Sequence, residues 1–191
     1  MSKTRQLKQL LAERSVKRGQ FTLASGKAST VYVDARLTTM SPDGMVLIGA
    51  LALEAMNSRG WDPDAVGGLT LGADPVAYAI SQISAGTTRS VRAFTVRKQA
   101  KVHGTAKLIE GPFKSGDRVV VVEDVITTGS SALQAAEAVT AEGGHILGIL
   151  AVVDREDGGS EAIRAKGYDV LSLTRISELT SLSSESGSGD V

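Results

Sequence analysis

The chain has 191 residues, enough for one domain with a substantial core and short for two. Its 21 Lys and Arg balance 21 Asp and Glu, which excludes the basic excess or stripe of a nucleic-acid-binding surface. Cysteine is absent, which removes disulfides, thiolate metal ligands and a cysteine nucleophile and fits a reducing, cytoplasmic setting. No apolar run approaches the roughly 18–20 residues of a membrane span.

The first twenty residues are basic (Lys3, Arg5, Lys8, Arg14, Lys17 and Arg18 against Glu13) but hold no apolar stretch of the kind a secretory signal needs. Leu7, Leu10 and Leu11 fall on one face of a short helix, expected to be amphipathic and solvated. Ser25-Gly26-Lys27 reads as a turn, and Val31 and Val33 as one face of a strand. Met45 to Met56 is a continuous apolar helix, with Ser41 and Asp43 as caps. Ala65 to Leu69 is a short apolar strand. Asp74 stands before Pro75, an N-cap followed by proline at the first helical position, opening a helix over Val76 to Ile83. Strands follow at Val91 to Val96 and Val119 to Val122. An Ala-rich helix covers Ser131 to Glu142, a buried strand Ile146 to Val153, a helix Ser160 to Lys166 and a last strand Tyr168 to Leu173. The stretch from Ser181 to Val191 is rich in Ser and Gly and is expected to fray.

Strands apolar throughout, separated by helices, imply an α/β fold whose mostly parallel sheet is covered on both faces. There is no internal repeat and no linker. Residues 1–40 form a helix and a small N-terminal segment, 41–180 the core and 181–191 a tail, all within one structural domain. In such sheets ligands bind beyond the carboxyl ends of the strands.

One stretch stands at such an end: Val119-Val120-Val121-Val122-Glu123-Asp124-Val125-Ile126-Thr127-Thr128-Gly129-Ser130-Ser131. Four valines deliver two adjacent carboxylates, and a Thr/Gly/Ser loop then enters a helix. The loop presents backbone N–H groups and hydroxyls where the helix dipole favours a phosphate. Gly129 permits positive φ and close approach to an anion. Glu123 and Asp124 suit ribose hydroxyls. No lysine follows the glycine, so this is not a nucleoside-triphosphate loop of the Walker type. A strand–turn–helix whose hydroxyls merely cap the helix would not call for two repelling carboxylates at the mouth of the sheet.

Two further segments carry charge with a plausible chemical task. Arg97, Lys98, Lys101 and His103 lie within seven residues, too repulsive to pack in a core. They form either a solvated loop or a lid that gains its partner when a polyanion arrives. Arg155, in Val152-Val153-Asp154-Arg155-Glu156, ends a buried strand. There it is suited to fork onto a planar carboxylate or to join a surface ion network.

The stretch Val121 to Ser131 resembles the phosphoribosyl-diphosphate (PRPP) signature of type I phosphoribosyltransferases. That resemblance implies a type I phosphoribosyltransferase fold with a small N-terminal hood over the base site. It places Glu123 and Asp124 on the ribose hydroxyls, and Val125, Ile126 and the loop Thr127, Thr128, Gly129, Ser130 and Ser131 on PRPP, the loop at its 5′-phosphate. Three segments are similar to orotate phosphoribosyltransferases in particular: Phe21 to Ser29 with Val31 to Arg36, Arg97 to Gly104, and Val152 to Glu156. Together the motifs run from about Phe21 to Ser177. The implied activity is pentosyl transfer: orotate plus PRPP gives orotidine 5′-monophosphate and pyrophosphate in pyrimidine (UMP) biosynthesis. Arg97, Lys98, Lys101 and His103 would bind the pyrophosphate, and Lys101, His103 and Asp124 would serve catalysis. Lys27, Thr127 and Arg155 would bind orotate. The resemblance further implies Mg²⁺ carried by PRPP rather than by protein side chains, and a homodimer with shared sites. No nucleic-acid or membrane partner is expected. One departure stands out: many bacterial members carry a lysine where this chain has Gly72, within Thr70-Leu71-Gly72-Ala73-Asp74-Pro75, which looks like another branch of the family. A purine- or other base-salvage phosphoribosyltransferase would share Val119 to Ser131 without the other segments. A non-catalytic PRPP sensor would keep the fold without needing the cationic segment.

Overall fold

The computed structural model describes residues 1–22, 28–99 and 107–185. Ser2 caps the first helix, α1 (Lys3–Leu10), its hydroxyl accepting from the Arg5 amide at 3.3 Å. A π-helical turn, Leu11–Ser15, follows. Leu7 and Leu11 are buried in a cluster with Ile48, Met56 and Leu179, and Leu10 is half-buried. The solvated helix expected from the sequence is therefore corrected. Its apolar face closes the core, because residues four apart share a face and both leucines reach inward.

Strands β1 (Val16–Thr22) and β2 (Ala28–Val33) pair antiparallel as a separate two-stranded ribbon, with Val16 opposite Val33 and Thr22 opposite Ala28. The Phe21 and Tyr32 rings meet across it at 5.5 Å. Only β2 has a pattern visible in the sequence. The first strand carries Lys17, Arg18, Gly19 and Gln20 and is largely exposed, so pairing rather than burial forms it. After a short helix, α2 (Arg36–Thr39), comes α3 (Pro42–Arg59). Ser41 and Asp43 both accept from the Gly44 amide, at 3.2 and 3.0 Å, and Gly60 at φ 75° ends the helix. Both expected caps are used, and the helix extends beyond Met45–Met56 at each end.

The remaining elements are β3 (Ala65–Leu69), α4 (Ala73–Ser84), β4 (Arg92–Val96), β5 (Ile109–Glu110), β6 (Arg118–Ile126), α5 (Ser130–Ala141), β7 (His145–Asp154), α6 (Gly159–Ala165), β8 (Val170–Arg175) and α7 (Ile176–Glu185). They build a six-stranded sheet in the order β5-β4-β3-β6-β7-β8, parallel except for β5. The chain starts at β3, steps outward to β4, then crosses back to add β6, β7 and β8 on the other side. The order reverses between β3 and β6, and that switch point is where open α/β sheets bind ligands. Along β6 the valines alternate: Val120 and Val122 enter one core with Ile48, Val76 and Leu150, while Val119 and Val121 enter the other with Phe94, Ala135 and Val139.

Three expectations change. Helix α4 starts at Ala73 after Gly72, so Asp74 lies inside the first turn and does not cap it. Strand β6 runs on to Ile126, which places the acidic pair within the strand rather than after it. Helix α7 carries the described chain to Glu185, with Leu179 fully buried, so the tail orders further than a Ser-rich composition suggests. Because Leu11 is a core residue, Leu11→Ala should cost about 2–5 kcal/mol. Chemical denaturation measures this, and a variant as stable as the parent would return the N-terminal helix to solvent.

Candidate active site

At the switch point lies a cavity of about 390 Å³. Its walls are the loop after β3 (Leu69–Gly72), the end of β6 (Glu123–Val125), the hood and its exit (Tyr32–Arg36), Lys98 and Arg155. A smaller recess of about 70 Å³ adjoins it, enclosed by residues 125–132 together with Glu123. Glu123, Val125, Thr127 and Ser131 line both, so the two spaces are continuous along the end of β6.

The recess is built by the turn from β6 into α5. Gly129 at φ 80° is the N-cap of α5 and supplies no side chain to satisfy the helix's first amides. A Cβ there would stand 2.8 Å from the Gly159 carbonyl oxygen, so the turn packs directly against α6. The Thr128 and Ser130 hydroxyls are 3.0 Å apart. The result is a concave set of amides and hydroxyls at a helix N-terminus, which suits a phosphate. Ile126 takes part through its backbone alone: its side chain is buried in the core, and its carbonyl accepts from the Arg155 amide at 3.0 Å.

Glu123 is 6% exposed, and its Oε2 has no hydrogen-bond partner. Burial, then the neighbouring Asp124 charge, pushes the Glu123 carboxyl well above the usual carboxylate range. Burial also raises the Asp124 carboxyl, opposed by hydrogen bonding and by the Arg36 charge. Asp124 fits only because Gly72 faces it: a Cβ at Gly72 would lie 2.4 Å from Asp124 Oδ1. Gly72 is therefore part of the wall that seats this carboxylate. An unpartnered buried carboxylate oxygen where the two cavities meet matches a hydroxyl donor or a hydrated cation brought by the ligand. Among the described residues there is no cluster of three or more His, Cys, Asp or Glu that would hold a metal unaided.

Arg155 is 8% exposed and forms the wall nearest the hood. Its Nε donates to Asp157 at 2.9 Å, and its Nη2 to the Ser29 hydroxyl and the Val31 carbonyl at 3.4 and 3.3 Å. Asp154 shapes the turn that aims it, accepting from the Glu156 amide at 2.8 Å and the Ser160 hydroxyl at 2.5 Å. Lys98 lines the main cavity. Arg97 does not: it lines a neighbouring depression with Thr70, Thr95 and Glu110 and donates to Glu110 at 3.4 Å. Lys27, Lys101 and His103 lie outside the described residues. Sequence reasoning missed Arg36, held by Asp34 at 2.8 Å and placed in the main cavity beside Asp124. The sequence named it only as the end of the Val31 to Arg36 segment and gave it no role.

The site is thus an anion recess, a buried acidic pair and a ring of arginine and lysine at a switch point, which is a plan for gripping a phosphorylated sugar. The sequence profile described as the phosphoribosyl transferase domain matches residues 40–180. Orotate phosphoribosyltransferase of Aquifex aeolicus is 46% identical over 182 residues, 94% of this chain and 98% of its own. That of Mycobacterium avium is 47% identical over 174 residues, 91% of this chain and 94% of its own. The crystal structure of the Mycobacterium tuberculosis H37Rv enzyme in complex with PRPP superposes with a TM-score of 0.79 at 42% identity, covering 94% of this chain and 99% of that one. The fold is that of a type I phosphoribosyltransferase. Within that family the chain belongs to the orotate phosphoribosyltransferases. The alignments also reach beyond the span from Phe21 to Ser177 that the motifs mark.

The Glu123 proton gives a thermal test. The folded protein holds it to higher pH than the unfolded chain, whose ordinary value is 4.5. Below that value burial of this carboxyl costs little; above it the folded state loses stability progressively as pH rises. Glu123→Gln removes the ionisation, so it should melt higher than the parent. The gain should grow as pH rises above about 4.5, by some 2–4 °C for each kcal/mol relieved. A gain that does not change with pH would contradict the assignment.

Proposed function

We propose that this chain transfers the 5-phosphoribosyl group of PRPP to N1 of orotate, giving orotidine 5′-monophosphate and pyrophosphate. One observation carries the reading. The acidic pair stands between a recess suited to a phosphate and a buried arginine suited to a carboxylate, and all three open into one cavity. The bond from ribose C1 to the diphosphate oxygen breaks, a bond from C1 to orotate N1 forms, and the N1 proton passes to solvent or to the departing pyrophosphate. Positive charge builds on the sugar ring as pyrophosphate departs, so the protein's work is positioning and charge neutralisation.

The loop from Thr127 to Ser131 holds the 5′-phosphate with backbone amides and hydroxyls, next to Val125 and Ile126. Glu123 and Asp124 accept from the ribose hydroxyls. Arg155 clamps the orotate carboxylate, with Thr127 and Lys27 as further base contacts. The diphosphate is left to the side of Lys98, and the cationic segment with Arg97, Lys101 and His103 supplies its counter-charge. When present with PRPP, Mg²⁺ would supply further charge neutralisation at the diphosphate, carried by the substrate rather than by a cluster of carboxylates among the described residues. The further reading is of a homodimer with shared sites, working in the cytoplasm of a cell that makes its own pyrimidines.

Incubation of the protein with PRPP, Mg²⁺ and each of several bases should consume orotate alone, followed by loss of orotate absorbance. Consumption of adenine or hypoxanthine with orotate untouched would sink the assignment. Arg155→Ala should raise KM for orotate by about 10–100-fold, the loss of a charge-assisted bidentate contact of about 1.5–3 kcal/mol, with KM for PRPP changed far less. Equal effects on both substrates would contradict the role given to Arg155.

A further inference from the structure

Asp74 is the residue whose sequence expectation failed most instructively. Its carboxylate does not cap α4. Instead, Oδ2 accepts from the Thr70 hydroxyl at 2.7 Å and Oδ1 from the Thr95 hydroxyl at 2.9 Å. The Tyr78 hydroxyl lies 3.0 Å from Thr95 Oγ1. With the Thr95 proton committed to Asp74, Tyr78 must be the donor to that oxygen. One carboxylate thus joins the loop after β3, the first turn of α4 and strand β4. The Thr70 amide adds a bond of 2.8 Å to the Val96 carbonyl, at the end of the same strand.

The joined parts form one side of the site. Thr70, Leu71 and Gly72 wall the main cavity, with Gly72 facing Asp124, and Lys98 follows two residues after β4 ends. Helix α4 begins at this wall with Gly72 as N-cap and no side-chain cap, so its first amides and positive dipole end are left for another acceptor. An aspartate in the first turn is well placed to supply that acceptor itself. Here two threonine hydroxyls hold it aside.

We propose that Asp74 is a positioning residue: bound by Thr70 and Thr95, it fixes the Thr70–Gly72 loop against β4 and leaves the N-terminus of α4 open to the diphosphate of PRPP. This rests on the reading of PRPP as the ligand. Asp74→Asn keeps the shape, but its amide nitrogen only donates, so one threonine must exchange its donation to a carboxylate for a weaker neutral bond in which its hydroxyl accepts. The variant should bind PRPP about tenfold more weakly by calorimetric titration in the presence of Mg²⁺, with KM for orotate within about twofold of the parent. Thr95→Val, close in shape but without the hydroxyl, should weaken PRPP in the same way, and Thr95→Ser should restore it. A network that only supports the fold would lower the melting temperature and spare PRPP affinity. That result, or parental affinity in both Asp74→Asn and Thr95→Val, overturns the proposal. Failure of the parent protein to bind PRPP in the same titration overturns instead the reading on which it rests.

Discussion

Two carboxylates side by side at the buried end of a strand repel each other and lose hydration, and the arrangement around β6 follows from that constraint. Glu123 is deeper and keeps an oxygen with no partner, while Asp124 sits under the partial influence of Arg36. A protein selected for stability alone would not hold such a pair there. An apolar or amide replacement would relieve both the desolvation and the repulsion. In the proposed function a ligand supplies what the free protein lacks, and perturbed acids in a cleft mark functional sites for this reason. Gly72 belongs to the same constraint, since any side chain at that position would displace Asp124.

The strand order brings the pair its surroundings. Between β3 and β6 the connections leave in opposite directions, so the two loops spread and a cavity opens between them. One loop becomes the phosphate recess at the head of α5; the other forms the wall at the head of α4. Two helix N-termini therefore converge on one space, both without a side-chain cap. A ligand with phosphates at two ends fits that geometry better than one with a single anionic group. Arg155 completes the enclosure from β7, reaching back to Ser29 and Val31 of the hood, so the ribbon is tied to the sheet at the site.

Zero net charge conceals this segregation. Away from the site, Arg89 and Arg118 pair with Asp62 and Asp64, and hydrogen bonds from Arg118 hold the Asp64 carboxyl well below the usual range. These groups are substantially exposed, and such pairs are worth about 0–1 kcal/mol each. They balance the surface without deciding the fold. Around the cavity the cations Arg36, Lys98 and Arg155 face an acidic pair and an anion recess, and there the same chemical groups set what binds.

The sequence by itself determined the α/β class, the buried parallel strands, the Thr/Gly/Ser turn into α5, the acidic pair at the end of β6 and Arg155 just beyond β7. Each of these is written locally: an apolar run of strand length, a Thr/Gly/Ser turn after two carboxylates, or an arginine at a strand's end. What depends on contacts between distant segments was decided only in three dimensions. Strand β1 exists through pairing with β2, and α1 is buried because the core meets Leu7 and Leu11. Helix α7 orders because Leu179 finds that same core. Asp74 had a good local role as a cap and lost it to Thr70 and Thr95, the latter 21 residues away along the chain. Arg36 and Gly72 gained theirs only when folding set them beside Asp124. Periodicity and turn chemistry are properties of neighbouring residues, whereas the desolvation of a carboxylate and the partners left to it are properties of the whole packed chain.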